Sequence, residues 1–428
     1  FKFSLGVMLK NTTLDNGLRI LALPLESSES VCVLVLVGTG SKNETKEQNG
    51  ISHFLEHMFF KGTIKCPTPI AVAEVLDRVG GAYNAFTGED YTGYYAKVDA
   101  RHVDLALDWV ADIFLSSLLP AEEIEKEKRV VMEELHMRND SPMSRTQILW
   151  RQLLYGDQPA GWNIVGTKES IAQLKRQDLV AYMNSQYVAA NTVVCLAGKL
   201  PADTEQRVAE KFKSVAAADF RHKAPVAEQQ TEPGLLAEDR TTDQVHLCLG
   251  VRAYSLADPR RYAQEILAAV LGGMMSSRMF MEVREKRGLA YYISTASETD
   301  PDTGFVVTAA GVRKENVEDA VRVMLEEYRK TATEQIPAEE FQKAKDNLTG
   351  KLALSLESSD AKASFYGLQE LLEKETYTLE QVYAKINAVT QNDVLRLAQD
   401  IFKPAKLNCA LVGPVPDRER LTKLLGAI

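Results

Sequence analysis

Leu174-Lys175-Arg176-Gln177-Asp178-Leu179 returns in the second half of the chain as Val389-Thr390-Gln391-Asn392-Asp393-Val394. The same offset aligns the apolar run ending Cys195-Leu196-Ala197-Gly198 with the one ending Ala410-Leu411-Val412-Gly413. Upstream, Pro120-Ala121-Glu122-Glu123-Ile124 recurs as Pro337-Ala338-Glu339-Glu340-Phe341, at a marginally longer offset. Three matches in one order and at nearly one spacing mark a duplicated domain. A unit of roughly 200 residues is far longer than a solenoid repeat.

Both copies follow a similar series of elements. Hydrophobic periodicity in the first predicts strands near 17–24 and 30–38, then a helix around His53. A helix led by Pro67-Thr68-Pro69 and ending at Gly80-Gly81 comes next, followed by two aromatic-rich strands within 82–98. Helices near 101–116, 121–138 and 177–187 precede a last strand at 191–198. The second copy offers strands near 243–251, 289–299 and 304–311, long helices between 315 and 402, and a closing strand at 406–412. Strands grouped ahead of long helices place the chain in the α+β class. Two homologous domains are expected, each an antiparallel-rich sheet carrying helices on one face. The expected division is 1–214 and 239–428, with 215–238, rich in Ala, Glu, Gln and Pro, as linker.

Composition narrows the function. At 428 residues the chain has room for two to four domains. A net charge of −9 and a pI near 5.4 exclude nucleic acid or an anionic membrane as the main partner. Cys32, Cys195, Cys248 and Cys409 lie in apolar runs and read as buried free thiols, which favours a reducing compartment. No run approaches the roughly 18–20 apolar residues a membrane helix needs. Phe1 to Leu9 lacks the apolar core and cleavage site of a signal peptide. A cytoplasmic location is therefore expected, or a periplasmic or organellar one had a leader been removed before residue 1.

Chemistry concentrates in His53-Phe54-Leu55-Glu56-His57, which takes two of the six histidines. On a helix, i and i+4 put both imidazoles on one face, about 5–6 Å apart at Cβ, a spacing that suits one shared zinc ion. Glu56 lies on the same side and is placed to take a proton from water, without itself binding metal. This His-x-x-Glu-His order is the inverted form of the common zinc-peptidase motif. A catalytic zinc takes a third protein ligand. Glu127 and Glu134 are two turns apart on the acidic helix 121–138, flanked by Val130 and Val131 as an inward stripe. Glu134 is the ligand proposed, Glu133 the alternative, and Glu127 a group to orient His57 or Glu134.

The segment Gly50-Ile51-Ser52-His53-Phe54-Leu55-Glu56-His57-Met58-Phe59-Phe60-Lys61-Gly62-Thr63 resembles the signature of the pitrilysin-type (M16) zinc peptidases. That family includes insulin-degrading enzyme and the mitochondrial processing peptidase. Glu134, in Val130-Val131-Met132-Glu133-Glu134-Leu135, falls where the family's third ligand lies, and Glu127 matches its acidic neighbour. Arg284-Glu285-Lys286-Arg287-Gly288-Leu289-Ala290-Tyr291 is similar to the segment whose Arg and Tyr reach substrate, and Gly272 to Arg278 to the Gly-rich loop before it. Without the likeness, Arg284 and Tyr291 read as a surface ion pair and a core aromatic.

The resemblance implies a zinc endopeptidase of the short, two-domain branch. Its fold would be of the LuxS/MPP-like metallohydrolase type, two halves enclosing a chamber like a clam shell. One Zn²⁺ per chain is expected on the first half, with the second half serving substrate. Glu56, Arg284 and Tyr291 would be catalytic. The Gly81, Ala82, Tyr83, Asn84, Ala85 and Phe86 edge would pair with an extended substrate. Peptides or small unfolded proteins are the substrates implied, and a homodimer the assembly, with a heterodimer of related subunits as the other arrangement. Two competing readings are a non-catalytic structural or assembly subunit of the same fold, and one chain of an obligate heteromeric processing peptidase. A complete ligand set argues against the first. Arg284, Tyr291 and the Gly-rich loop on the same chain argue against the second.

Overall fold

The computed structural model describes residues 9–415 and 417–427. The expectation about a leader rests on Phe1 to Leu9, and nearly all of that stretch lies outside the described residues. The first half of the chain runs β1 (Lys10–Thr13), β2 (Arg19–Pro24), β3 (Ser30–Val37), α1 (Ile51–Met58), α2 (Pro69–Asp77), β4 (Ala82–Thr87) and β5 (Thr92–Asp99). It continues through α3 (Val103–Ser116), α4 (Ala121–Asp140), α5 (Pro142–Tyr155), α6 (Lys168–Gln173), α7 (Arg176–Gln186), β6 (Thr192–Gly198) and α8 (Thr204–Phe212). The second half has β7 (Gly234–Asp239), β8 (Val245–Ala253), α9 (Arg261–Gly272), β9 (Ala290–Thr299), β10 (Gly304–Val312), α10 (Val317–Thr333) and α11 (Ala338–Ser355). It closes with α12 (Ser359–Leu372), α13 (Leu379–Ala388), α14 (Gln391–Ile401), β11 (Leu407–Gly413) and α15 (Arg418–Leu425).

Two sheets result, ordered β1-β2-β6-β3-β5-β4 and β7-β11-β8-β10-β9. β2 runs parallel to β6 and β7 parallel to β11, while the remaining pairs are antiparallel. Arg19, Ser30 and Thr192 open strands whose counterparts begin at Gly234, Val245 and Leu407, each displaced by the interval that separates Leu174 from Val389. The duplication is therefore one of topology as well as sequence, and the fold class is α+β with two related sheets.

Two expectations need correction. Helices cover both faces of each sheet, not one. Ser30-Val31-Cys32-Val33-Leu34-Val35-Leu36-Val37 is buried along nearly its whole length, and a strand apolar on both sides needs cover on both sides. One face of the first sheet packs Val31, Val33 and Val35 against α1 and α3, through Phe54, Leu55 and Trp109. Its other face packs Leu34, Leu36 and Cys195 against Ala363, Tyr366 and Leu371 of α12. In the second sheet, Leu149, Trp150 and Leu154 of α5 meet Cys248 and Ala410, and the opposite face packs on α9, α10 and α14.

The second correction concerns the division of the chain. Stretch 215–238, read as linker, lacks regular structure only as far as Pro233, and Gly234–Asp239 then forms the parallel edge strand β7. The compact units are also not consecutive. One comprises residues 1–135, 163–224 and 354–377, the other 136–162, 225–353 and 378–428. Each sheet takes the helix for its second face from the other half of the sequence, which a single cut in the chain cannot reproduce.

Gly367 marks how closely α12 approaches its sheet. A Cβ there would lie 2.8 Å from Leu36 Cδ1 and 3.4 Å from Cys195 Cβ. Gly367→Val should therefore lower stability by roughly 1–3 kcal/mol through overpacking. The expected readout is a lower urea midpoint at unchanged slope. An unmoved midpoint would contradict the close approach.

Candidate metal centre

Helix α1 is set rigidly at its start. Gly50 has φ +93°, a left-handed conformation, and a Cβ on it would lie 2.5 Å from the Val165 carbonyl oxygen. Since glycine offers no side-chain cap, the cap comes from upstream. Glu44 accepts from Gly50 N at 2.7 Å, Ser52 N at 2.9 Å and Asn49 Nδ2 at 2.9 Å. Its carboxylate thus sits where the helix leaves backbone donors without intrahelical partners. Ser52 Oγ is 2.8 Å from the Tyr182 hydroxyl, which in turn lies 2.9 Å from Thr39 Oγ1. Ile51, Phe54, Leu55 and Met58 point into the core, which leaves His53, Glu56 and His57 on one polar side.

Helix α4 brings the third group. Ile124, Glu127, Val131 and Leu135 form its buried stripe, with Glu134 half-buried beside it. Val130, read as part of the inward stripe with Val131, is instead 51% exposed because it stands about 100° round the helix. Glu133 is exposed.

The three ligand atoms of His53, His57 and Glu134 lie within 4.8 Å of one another. Among the described residues, no other group of His, Cys, Asp and Glu does this. Glu134 Oε2 is 3.4 Å from His53 Nε2 and 3.7 Å from His57 Nε2, with the two rings 4.6 Å apart at their centroids. His57 Nδ1 is 2.8 Å from Glu127 Oε1, and Lys61 Nζ is 2.6 Å from Glu127 Oε2. Burial works against a charge on Glu127, but the hydrogen bonds from His57 and Lys61 outweigh it and hold the carboxyl below its usual range. An ionised carboxylate can only accept, so the His57 proton sits on Nδ1 and the Nε2 lone pair turns towards Glu134. Two imidazole nitrogens and one carboxylate oxygen make a donor set that fits zinc with a position left open. Glu56, on the same helix, accepts from Thr87 Oγ1 at 2.5 Å.

Two families match: Insulinase (Peptidase family M16) over residues 19–168, and Peptidase M16 inactive domain over residues 173–348. YmxG of Bacillus subtilis (strain 168), named an uncharacterized zinc protease, is 37% identical over 92% of this chain and 96% of its own. The chain belongs to peptidase family M16. A Mycobacterium tuberculosis (strain H37Rv) protein, also named an uncharacterized zinc protease, is 34% identical over 98% of this chain and 96% of its own. Among solved structures, a protease from Helicobacter pylori superposes with a TM-score of 0.87 at 24% identity, over 95% of this chain and 99% of that one. A chain of Complex III2 from Candida albicans superposes with a TM-score of 0.83 at 20% identity, over 98% and 100%. These two likenesses carry the M16 fold and no more.

The remaining predicted residues lie outside α1 and α4. Gly81 precedes β4, an edge strand hydrogen-bonded to β5 alone, and Ala82, Tyr83, Asn84, Ala85 and Phe86 make up most of it. Arg284 and Tyr291 belong to the second unit. Arg284 sits 4.8 Å over the Phe280 ring and 3.9 Å from Glu285, while Tyr291 on β9 is 75% exposed and so no core aromatic. Sequence reasoning missed Glu44, Lys61 and Thr87. Lys61 was legible in principle, four residues beyond His57, whereas Glu44 and Thr87 reach the site only through tertiary folding. No described helix is long and apolar enough to cross a membrane.

Burial pushes Glu44 from an ordinary 4.5 up to about 7, against the opposing pull of hydrogen bonds from Ser52, Gly50 and Asn49. Between those values the unfolded chain loses its proton first. Stability contributed below pH 4.5 is then lost as pH rises through 7, by roughly 3 kcal/mol for a shift of this size. Glu44→Gln should flatten that part of the profile in urea unfolding from pH 4.5 to 8. Parallel profiles for both proteins would contradict the raised value.

Proposed function

We propose that this chain is a zinc-dependent endopeptidase acting on peptides or small unfolded proteins. The observation that carries the reading is the meeting of His53 Nε2, His57 Nε2 and a Glu134 oxygen, with Glu56 one residue before His57. His53, His57 and Glu134 would hold one Zn²⁺, and the names of the relatives support zinc. Bound zinc supplies Lewis-acid polarisation of a carbonyl and a lowered pKa for water.

The chain's own residues do the rest. Glu127 keeps His57 in the tautomer that presents Nε2. The Glu56 carboxylate takes one proton from the attacking water and later delivers it to the leaving amine nitrogen. The edge of β4 would pair with an extended substrate as an added strand, so recognition reads backbone more than side chains. Arg284 and Tyr291 would donate hydrogen bonds to substrate carbonyls, Tyr291 to the oxyanion. A homodimer is the assembly proposed. An assembly role, as a non-catalytic subunit of the same fold, is the second reading, and a chain of Complex III2 shares that fold. The intact donor set and base favour hydrolysis.

Glu56→Gln should retain zinc by elemental analysis and lose nearly all cleavage of a test peptide, since the base is lost and the ligands stay. Normal cleavage by that variant removes Glu56 from the mechanism. Tyr291→Phe should lower kcat more than it raises KM, because a transition-state hydrogen bond is lost. A change confined to KM would make Tyr291 an ordinary binding group.

A further inference from the structure

Glu56 is held by a strand and not only by its helix. Thr87 is the last residue of β4, paired across the ladder with Thr92. Alternation along β4 puts Tyr83, Ala85 and Thr87 on one face, where Ala85 and Tyr83 join the same apolar core as Phe54 and Leu55 of α1. From that face Thr87 Oγ1 donates to Glu56 Oε2 at 2.5 Å. Neither Thr87 nor its hydrogen bond involves His53, His57 or Glu134.

We propose that Thr87 is a positioning residue for the general base. Its hydroxyl fixes one carboxylate oxygen of Glu56 and thereby limits how the carboxylate can turn towards an attacking water. This inference rests on the hydrolytic reading above. A glutamate side chain has three rotatable bonds, and its terminal carboxylate torsion is broad. Proton transfer needs the acceptor oxygen within hydrogen-bond reach of the water, so a freely turning carboxylate spends much of its time misdirected. Threonine suits the task because its β-branch restricts χ1 and keeps the hydroxyl aimed. The strand proposed to receive substrate thus also holds the base, so bound backbone and proton acceptor share one frame.

The test uses the zinc-loaded full chain and a quenched fluorescent peptide. Thr87→Val keeps the shape and β-branch but removes the donor, and Thr87→Ser keeps the donor. Losing a hydrogen bond to a charged group should lower kcat roughly ten- to a hundredfold. KM and bound zinc should be unchanged for Thr87→Val, and Thr87→Ser should recover most of the rate. In a Glu56→Gln background, Thr87→Val should cost nothing further, because the two residues act as a unit. Unchanged kcat in Thr87→Val, equal losses in Val and Ser, or an effect on KM alone would each overturn the proposal. If Thr87→Val fails to fold by circular dichroism, Thr87→Ala against Thr87→Ser gives the same comparison with the same expected loss and recovery. An unsubstituted protein with no cleavage sinks the hydrolytic reading itself. An active protein indifferent to the loss of the Thr87 hydroxyl sinks only this inference.

Discussion

An imidazole can offer a lone pair to a cation only from a nitrogen that carries no proton, and the 2.8 Å contact between His57 Nδ1 and Glu127 decides which nitrogen that is. The decision costs the fold a buried carboxylate, offset by Lys61 on its other oxygen. It also fixes the spacing of two helices. α1 and α4 must approach until Glu127 meets His57, and at that distance Glu134, two turns on, arrives beside both Nε2 atoms. The upstream cap of Glu44 and the left-handed turn at Gly50 hold the other end of α1, so the histidines have little room to drift.

The second copy of the domain shows what becomes of this arrangement without the histidines. Shifted by the interval that relates Pro120 to Pro337, Glu127 and Glu134 fall on Ala344 and Lys351 of α11. Lys351 Nζ donates to the Gly273 carbonyl at 2.6 Å, and Lys343 Nζ to the Ser276 carbonyl at 3.1 Å. Arg278 in the same loop is clamped by Glu340 through two hydrogen bonds of 2.9 and 2.8 Å. A helix that gathers imidazoles with carboxylates in one copy gathers loop carbonyls with ammonium groups in the other. The chemistry has inverted while the scaffold has not.

Much of this was legible from residues because it is local. Helix spacing at His53 and His57, the apolar run of β3 and the Pro-led start of α2 are short-range signals, and the duplication reinforced the reading of the strands. What escaped depends on partners distant in sequence. β7 has only Leu235, Leu236 and Ala237 as apolar residues, and as an edge strand it is only half-buried, so its pattern is weak. α5 carries its own start signal in Ser141-Pro142, with Ser141 capping Ser144 N, but the sheet it packs on lies in the second half of the sequence. Spacing and the family likeness picked Glu134 over Glu133, but the phase of α4 against α1 that brings its carboxylate to both Nε2 atoms is set only by the folded core. Val130 and Val131 show the same limit, since adjacent valines on a helix face different surroundings.

The exchanged helices bear on how the chain assembles as it is made. The first sheet lacks its second cover until residues 354–377 have left the ribosome, although its last strand ends at Gly198. Over that interval Leu34, Leu36 and Cys195 present an oily flank with nothing native to lie against it. Residues 142–155 wait in the opposite sense, synthesised long before the sheet on which they settle. Synthesis order and packing order are thus out of step, and a nascent chain of this kind has reason to need shielding until nearly complete.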